Sequence, residues 1–390
     1  MIRLHRPTWF EIDLDAAAEN LRTARRMIGP ERKLYAVVKA GGYGFGSAEI
    51  GRVFAESGAD ALAVADLADG LRLRRLGLTL PILVYPNALP DAARDILAAG
   101  LIPTLTNIDA VRAYEEAAGS SDGIAPVDVF VKVDVGLERL GVPADQAVKF
   151  LLDVHQRTRL RLAGVCTHLN VPARANTAYI QWQFDRFTAV LDALAAQGVH
   201  IPVRLAASSP LVIGYPHMYL NAADPGRMLY GIDREDRQSN IPLQPVFRAL
   251  KSRLCEVKDV APRDRFAAEA PFPIPHPMRL GVVPIGAGDG FNHLHVGRVL
   301  VRGRSVPILA GPSLEHTRVD LTSVPDAAIG DEVVLIGRQG TEEITLDEVG
   351  AAHGLHPLHV ALVIGPRVAR VYLRDGRPAT IEAPTVPERS

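Results

Sequence analysis

Eight short apolar runs, most of them followed by an amphipathic stretch, fill roughly the first 235 residues and restrict the fold more than any other feature. The strand-like runs fall at 34–39, 61–65, 81–85, 102–106, 127–134, 162–168, 203–207 and 227–230. Helical periodicity occupies 47–57, 67–76, 90–99, 107–118, 143–157 and 178–197. Strands alternating with helices require a parallel sheet, and eight of them fit a closed (β/α)8 barrel better than an open sheet. Ahead of this array, residues 8–14 alternate like a half-buried strand. Asp15 is placed to cap a helix over 16–28, with Leu21, Ala24 and Ile28 on one face.

The pattern changes after Gly231. Residues 233–245 are polar and broken by proline, as in a linker. Beyond them, short runs at 247–258, 278–285, 296–309, 316–321, 332–337 and 359–372 predict an all-β domain. Residues 261–278 carry five prolines and read as a long loop. The expected organisation is an N-terminal strand (1–14) joining the β-domain, a TIM-type barrel (15–235) and a C-terminal all-β domain (236–390), an α/β chain throughout its first part.

A chain of 390 residues is too long for one ordinary core, which agrees with two domains. Its 48% hydrophobic and 22% charged residues read as globular. A net charge of −1 argues against nucleic acid or an anionic membrane as partner. Cys166 and Cys255 supply neither a disulfide framework nor a metal-ligand spacing. No apolar run reaches spanning length, and residues 1–7 lack the apolar core of a signal peptide, so a cytoplasmic enzyme is expected.

Chemistry in such barrels gathers where strands end, and Lys39, Asp134, His168 and Ser208 all fall there. A lysine at the end of a buried strand is costly unless solvated, paired or chemically employed. Taken alone, Lys39 is either a lysine reaching solvent or one whose lowered pKa suits it to Schiff-base formation. Gly41, Gly42, Gly44 and Gly46 allow close backbone approach around Tyr43. The glycines of Gly286-Ala-Gly-Asp-Gly290 lack the strand–turn–helix setting of a nucleotide loop.

The stretch Val37-Val-Lys-Ala-Gly-Gly-Tyr-Gly-Phe-Gly46 resembles the pyridoxal-phosphate (PLP) lysine motif of the alanine racemase family. The likeness continues through Lys132-Val-Asp-Val-Gly-Leu-Glu-Arg-Leu-Gly141, Thr167-His-Leu169, Pro225-Gly-Arg-Met-Leu-Tyr-Gly231 and Val283-Pro-Ile-Gly286. It ends with Val319-Asp-Leu-Thr322 and Ile329-Gly-Asp-Glu-Val-Val334. The resemblance implies a PLP enzyme, homodimeric with shared active sites, acting on a small amino acid. It implies Lys39 as the cofactor lysine, with Tyr43, Ser208, Gly226 and Arg227 at the phosphate. It implies Arg139 near the substrate carboxylate, Lys132 (a carbamate in some members) orienting that arginine, and His168 packed near the cofactor ring. On the residues alone, Ser208 reads as a strand-end hydroxyl, His168 as a core histidine and Lys132 as an interior lysine paired with Asp134.

Two departures from the family pattern bear on the reaction. The family's second catalytic base, a tyrosine after Pro-Ile-Gly, is replaced by Ala287, with His293, His295, Glu315 and His316 as candidate substitutes. The arginine that the family places before Pro-Gly, as partner of the pyridine nitrogen, is replaced by Asp224. A carboxylate there favours a protonated ring and a stronger electron sink, although Arg227 follows closely and could supply a cation. Leu314 and Glu315 stand where a methionine–aspartate pair is expected at the substrate end, and Leu358 where a tyrosine is expected near the phosphate. Three readings follow: an amino-acid racemase; a PLP lyase, aldolase, decarboxylase or transaminase on a β-hydroxy or α-substituted amino acid; and a non-catalytic PLP-binding protein. The β-domain counts against the last.

Overall fold

The computed structural model describes residues 4–119, 126–172, 176–232, 241–262 and 269–383. The chain divides into two units: Ala16–Gly42 with Gly46–Gln244, and Met1–Asp15 with Tyr43–Phe45 and Pro245–Ser390.

In the first unit the strands are β2 (Lys33–Val37), β3 (Ala61–Val64), β4 (Ile82–Val84), β5 (Ile102–Leu105), β6 (Val127–Asp134), β7 (Val142–Pro143), β8 (Leu160–Cys166), β9 (Val203–Ala207) and β10 (Ala222–Ala223), numbered after β1 (Thr8–Asp13) of the other unit. Their pairings run in the order β5-β4-β3-β2-β10-β9-β8-β6, and β5 also pairs with β6, so the sheet closes. Every pairing is parallel, with β7 added to the edge of β6. Helices between the strands cover the sheet, and each buries an apolar stripe: Ala17, Leu21, Ala24 and Ile28 of the first are fully buried. Gly164 on β8 is small for a packing reason, since an added Cβ would lie 2.4 Å from the Phe130 ring on β6.

The eighth barrel strand is not where the apolar run 227–230 pointed. It is the two-residue β10, and Arg227–Tyr230 forms a 3-10 turn. Pro225 has no N–H for a ladder, and the chain bends at Gly226 (φ −115°, ψ −86°). The run Met228-Leu-Tyr230 is fully buried as expected, but a short apolar run does not by itself distinguish a strand from a helical turn. Asp15 also differs from expectation: the helix begins at Leu14, and the Asp15 carboxylate accepts from the Asp375 N–H at 2.6 Å.

Among the described residues, the second unit holds two sheets. In the larger, β1 lies between Phe247–Arg253, antiparallel to it, and Ala369–Arg374, parallel to it. The sheet continues through Glu332–Gln339, the hairpin Arg298–Val301/Arg304–Pro307 and the edge strand Arg377–Glu382. The smaller sheet pairs Glu256–Val260, Met278–Val283 and Thr317–Asp320. The run 247–258 is therefore split between two sheets at Leu254 and Cys255. The run 359–372 is split as well, because Pro357–Val363 is helical and only its end enters the sheet. The expected linker over 233–245 and loop over 261–278 fall partly outside the described residues.

Candidate active site

Lys39 follows the fully buried Val38 at the end of β2. The next residues make a left-handed turn: Ala40 (φ 55°), Gly41 (φ 63°) and Gly42 (φ 64°). Two consecutive glycines remove most of the steric cost of that conformation, which Ala40 still bears. A buried carboxylate holds the turn. Asp69 accepts the Gly41 N–H at 3.0 Å through one oxygen and the Ser47 hydroxyl at 2.7 Å through the other. Gly42 N–H donates to Val38 O at 2.9 Å, and Gly46 N–H to Gly41 O at 2.7 Å.

The end of β2 is stitched to the chain that follows β10. Val37 N–H donates to Pro225 O at 3.2 Å, and the Tyr230 hydroxyl to Val37 O at 3.1 Å. Asp224, between β10 and Pro225, is buried, and its N–H donates to Ala207 O at 3.0 Å. The Tyr85 hydroxyl donates to Asp224 Oδ2 at 2.7 Å, whereas the buried Oδ1 has no hydrogen-bond partner among the described residues. The Tyr85 ring lies 5.5 Å from Lys39 Nζ, measured to its centroid. Burial pushes the Asp224 carboxyl up to about 6, against the Tyr85 hydrogen bond and the charges of Lys39 and Lys132, which pull it down. Burial lowers the Lys39 pKa, Asp224 opposes that shift, and the Arg139 and Lys132 charges add to it.

Lys132 is buried on β6, and burial lowers its pKa as well. It is not paired with Asp134. That carboxylate is spent on the following turn, accepting N–H groups from Gly136, Leu137 and Glu138 at Oδ1 and from Arg139 at Oδ2. Those four bonds hold it below the usual carboxylate range against desolvation. The turn fixes the backbone that carries Arg139, whose side chain is exposed. His168 follows Thr167, which is tied to Val133 O through its hydroxyl and to Leu205 O through its N–H. Burial, with the charges of Lys132, Lys39, Arg139 and Arg227, pushes His168 down to about 3, so its imidazole is neutral at pH 7.

Ser208 is buried and sits before the helix Ser209–Gly214 without capping it through its side chain. The neighbouring Ser209 accepts the N–H groups of Gly226 (2.9 Å) and Met228 (3.2 Å) on its hydroxyl. The Gly226 N–H, expected to face a phosphate, is thus committed to Ser209. Lys39, Lys132, Arg139, His168, Ser208, Asp224, Gly226 and Arg227 all belong to the barrel unit. Asp69, Tyr85 and Ser209 were not legible as site residues. Each acts through a partner 17 or more residues away, and no local spacing signals that.

Tyr43, Ala287, Leu314 and Leu358 belong to the other unit. There the Ala287 N–H donates to Ser313 O at 2.8 Å and the Gly288 N–H to Leu314 O at 3.0 Å. Asp289 is buried, accepts the Gly286 N–H at 3.0 Å, and pairs with Arg6 (2.5 Å) and Arg367 (3.0 Å). Leu314 is 69% exposed. Glu315 pairs with Arg367 at 2.8 Å, which holds its carboxyl below the usual range. Among the described residues no cluster of three or more histidine, cysteine or acidic side chains could hold a metal ion. No helix among them is long and apolar enough to cross a membrane.

Comparison with known proteins agrees with this architecture. Residues 12–234 match the alanine racemase N-terminal domain, and residues 247–372 its C-terminal domain. The chain is 36% identical over 377 residues to the alanine racemase of Desulfosudis oleivorans, covering 93% of this chain and 96% of the relative. It is 31% identical over 371 residues to that of Methanococcus maripaludis, covering 94% and 99%. Among solved structures, an alanine racemase of Clostridium difficile superposes with a TM-score of 0.89 at 26% identity, covering 98% of this chain and all of the other. That of Bacillus anthracis with bound L-Ala-P gives 0.87 at 28% identity, covering 98% and 99%. With both domains matched in order and relatives aligned along nearly their whole length, the chain belongs to the alanine racemase family.

Proposed function

We propose that the protein is a PLP-dependent, amino-acid racemase-like enzyme that removes and returns the α-proton of a small amino acid. The observation that carries this reading is Lys39, half-buried at a barrel strand end with its pKa lowered, in a chain of this family. A lysine so placed is neutral more readily than one in water, as a nucleophile or base must be.

The residues fit the cofactor. A buried carboxylate oxygen on Asp224 lacks a partner among the described residues, and the charges of cationic side chains act on a neutral imidazole at His168. Lys39 would hold the cofactor covalently, Asp224 its ring nitrogen, and Ser208 and Arg227 its phosphate. PLP, when bound, supplies an electron sink that acidifies the α-carbon of an amino acid. Once the substrate amine has taken its place, the freed Lys39 amine would accept the α-proton. Arg139 receives the substrate carboxylate, with Lys132 beside it. His168 is neutral at pH 7 and packs against the site without adding a charge. The same reading includes a homodimer with shared active sites.

A second reading rests on Ala287 and Asp224. Two-faced proton transfer needs a base on each face of the α-carbon, and alanine supplies none. Glu315 is a weak substitute, because its ion pair with Arg367 lowers its basicity. A strong sink with one open face suits cleavage of a Cα–C bond, as in a lyase, aldolase or decarboxylase, or a transamination. A non-catalytic PLP-binding role remains the weakest reading.

Purified protein supplied with PLP should show a long-wavelength absorbance band that borohydride fixes covalently to the Lys39 peptide. Lys39→Ala should abolish both the band and the labelled peptide. A band that persists in that variant, or the absence of any band in the unaltered protein, overturns the proposal.

A further inference from the structure

Asp224 is buried, yet its carboxylate is only half used. Oδ2 receives the Tyr85 hydroxyl at 2.7 Å, and Oδ1 has no partner among the described residues. Leaving a buried acceptor unfilled is expensive, so such an atom marks a place where a bound group completes the structure. Tyr85 comes from the end of β4 and Asp224 from the end of β10, strands that are not neighbours in the barrel. Their meeting point is also next to Lys39, whose amine lies 5.5 Å from the Tyr85 ring centroid. One tyrosine therefore touches both the covalent anchor and the buried acid of the proposed site.

We propose that Tyr85 is a positioning residue that sets Asp224 to hold a protonated nitrogen heterocycle, with Oδ1 as acceptor for the ring N–H. The inference rests on the PLP reading and specifies the electronic state of the cofactor. Oδ1 and the ring nitrogen compete for one proton. A hydrogen bond donated to Oδ2 stabilises the carboxylate and makes it the weaker base. The proton then stays on nitrogen, and Asp224 keeps its negative charge. Without that bond the carboxylate becomes the stronger base and the proton moves toward oxygen. Lys39 and Lys132 press in the same direction as Tyr85, since their charges also favour ionised Asp224. Only the Tyr85 bond additionally fixes which oxygen is left for the ligand. An arginine in place of Asp224 would have the opposite effect, donating to the nitrogen and leaving it unprotonated.

The test is the 15N chemical shift of PLP labelled at the pyridine nitrogen, bound to the full-length protein. The unaltered holoprotein should show the signal of a protonated ring nitrogen at pH 7–8. In Asp224→Asn, nearly the same shape, the signal should move to the unprotonated position. In Tyr85→Phe it should move part of the way toward that position. A purely structural role for Tyr85 would lower the melting temperature but leave the 15N signal unchanged, and that result overturns the proposal. So does an unprotonated nitrogen in the unaltered protein, which leaves the PLP reading intact. Absence of any Lys39-dependent PLP binding overturns both.

Discussion

Burial drives His168 and Asp224 in opposite directions, and each gives the fold a distinct pH dependence. His168 is held at about 3 against an ordinary 6.5, so between those values the unfolded chain binds the extra proton. Stability from this residue therefore rises with pH across that window and is lost as pH falls. Asp224 is held at about 6 against 3.8, so between those values the folded chain binds the extra proton. Its contribution falls as pH rises from 3.8 to 6. The two oppose each other where the windows overlap, and single variants separate them. In urea titrations of the cofactor-free protein from pH 4 to 7, His168→Gln should flatten the rise of stability with pH. Asp224→Asn should steepen it. Curves parallel to that of the unaltered protein would contradict these assignments.

The left-handed turn after β2 is the element on which the lysine depends. Gly42 has φ +64°, and a Cβ there would stand 3.0 Å from Ser47 N, a backbone atom with little room to yield. Gly42→Ala should cost about 1–2 kcal/mol from the conformation alone. Asp69→Ala should cost about 1–3 kcal/mol, because the Gly41 N–H and Ser47 hydroxyl lose their acceptor. Denaturant midpoints check both, and unchanged midpoints would mean that the turn is not held in this way. The glycines of this turn were legible in the sequence because the need for positive φ leaves a compositional trace. Its clamp was not, because Asp69 lies 28 residues from Gly41 and looks like any acid in a first helical turn. Strands at 127–134 and 203–207 were read to the residue. The last barrel strand was misplaced by proline and glycine, which moved the pairing upstream and left an apolar run to form a turn.

At the scale of the molecule, the barrel gathers lysine, arginine, histidine and a buried acid from separate strand ends, and the second unit carries the loop around Ala287. That loop is anchored by Asp289, Arg6 and Arg367 and by backbone bonds to Ser313 and Leu314. Its shape therefore does not depend on the side chain at position 287. The most direct test of the account is deuterium incorporation at Cα in D2O, over a panel of L-, D-, α-methyl and β-hydroxy amino acids, with products resolved on a chiral column. Label is expected at Cα of at least one amino acid, dependent on Lys39. Label with inversion marks a racemase despite Ala287. Label with retained configuration, or an aldehyde, CO2 or keto acid as product, marks one-sided chemistry on the same fold. No Lys39-dependent label or product from any member of the panel would contradict the account.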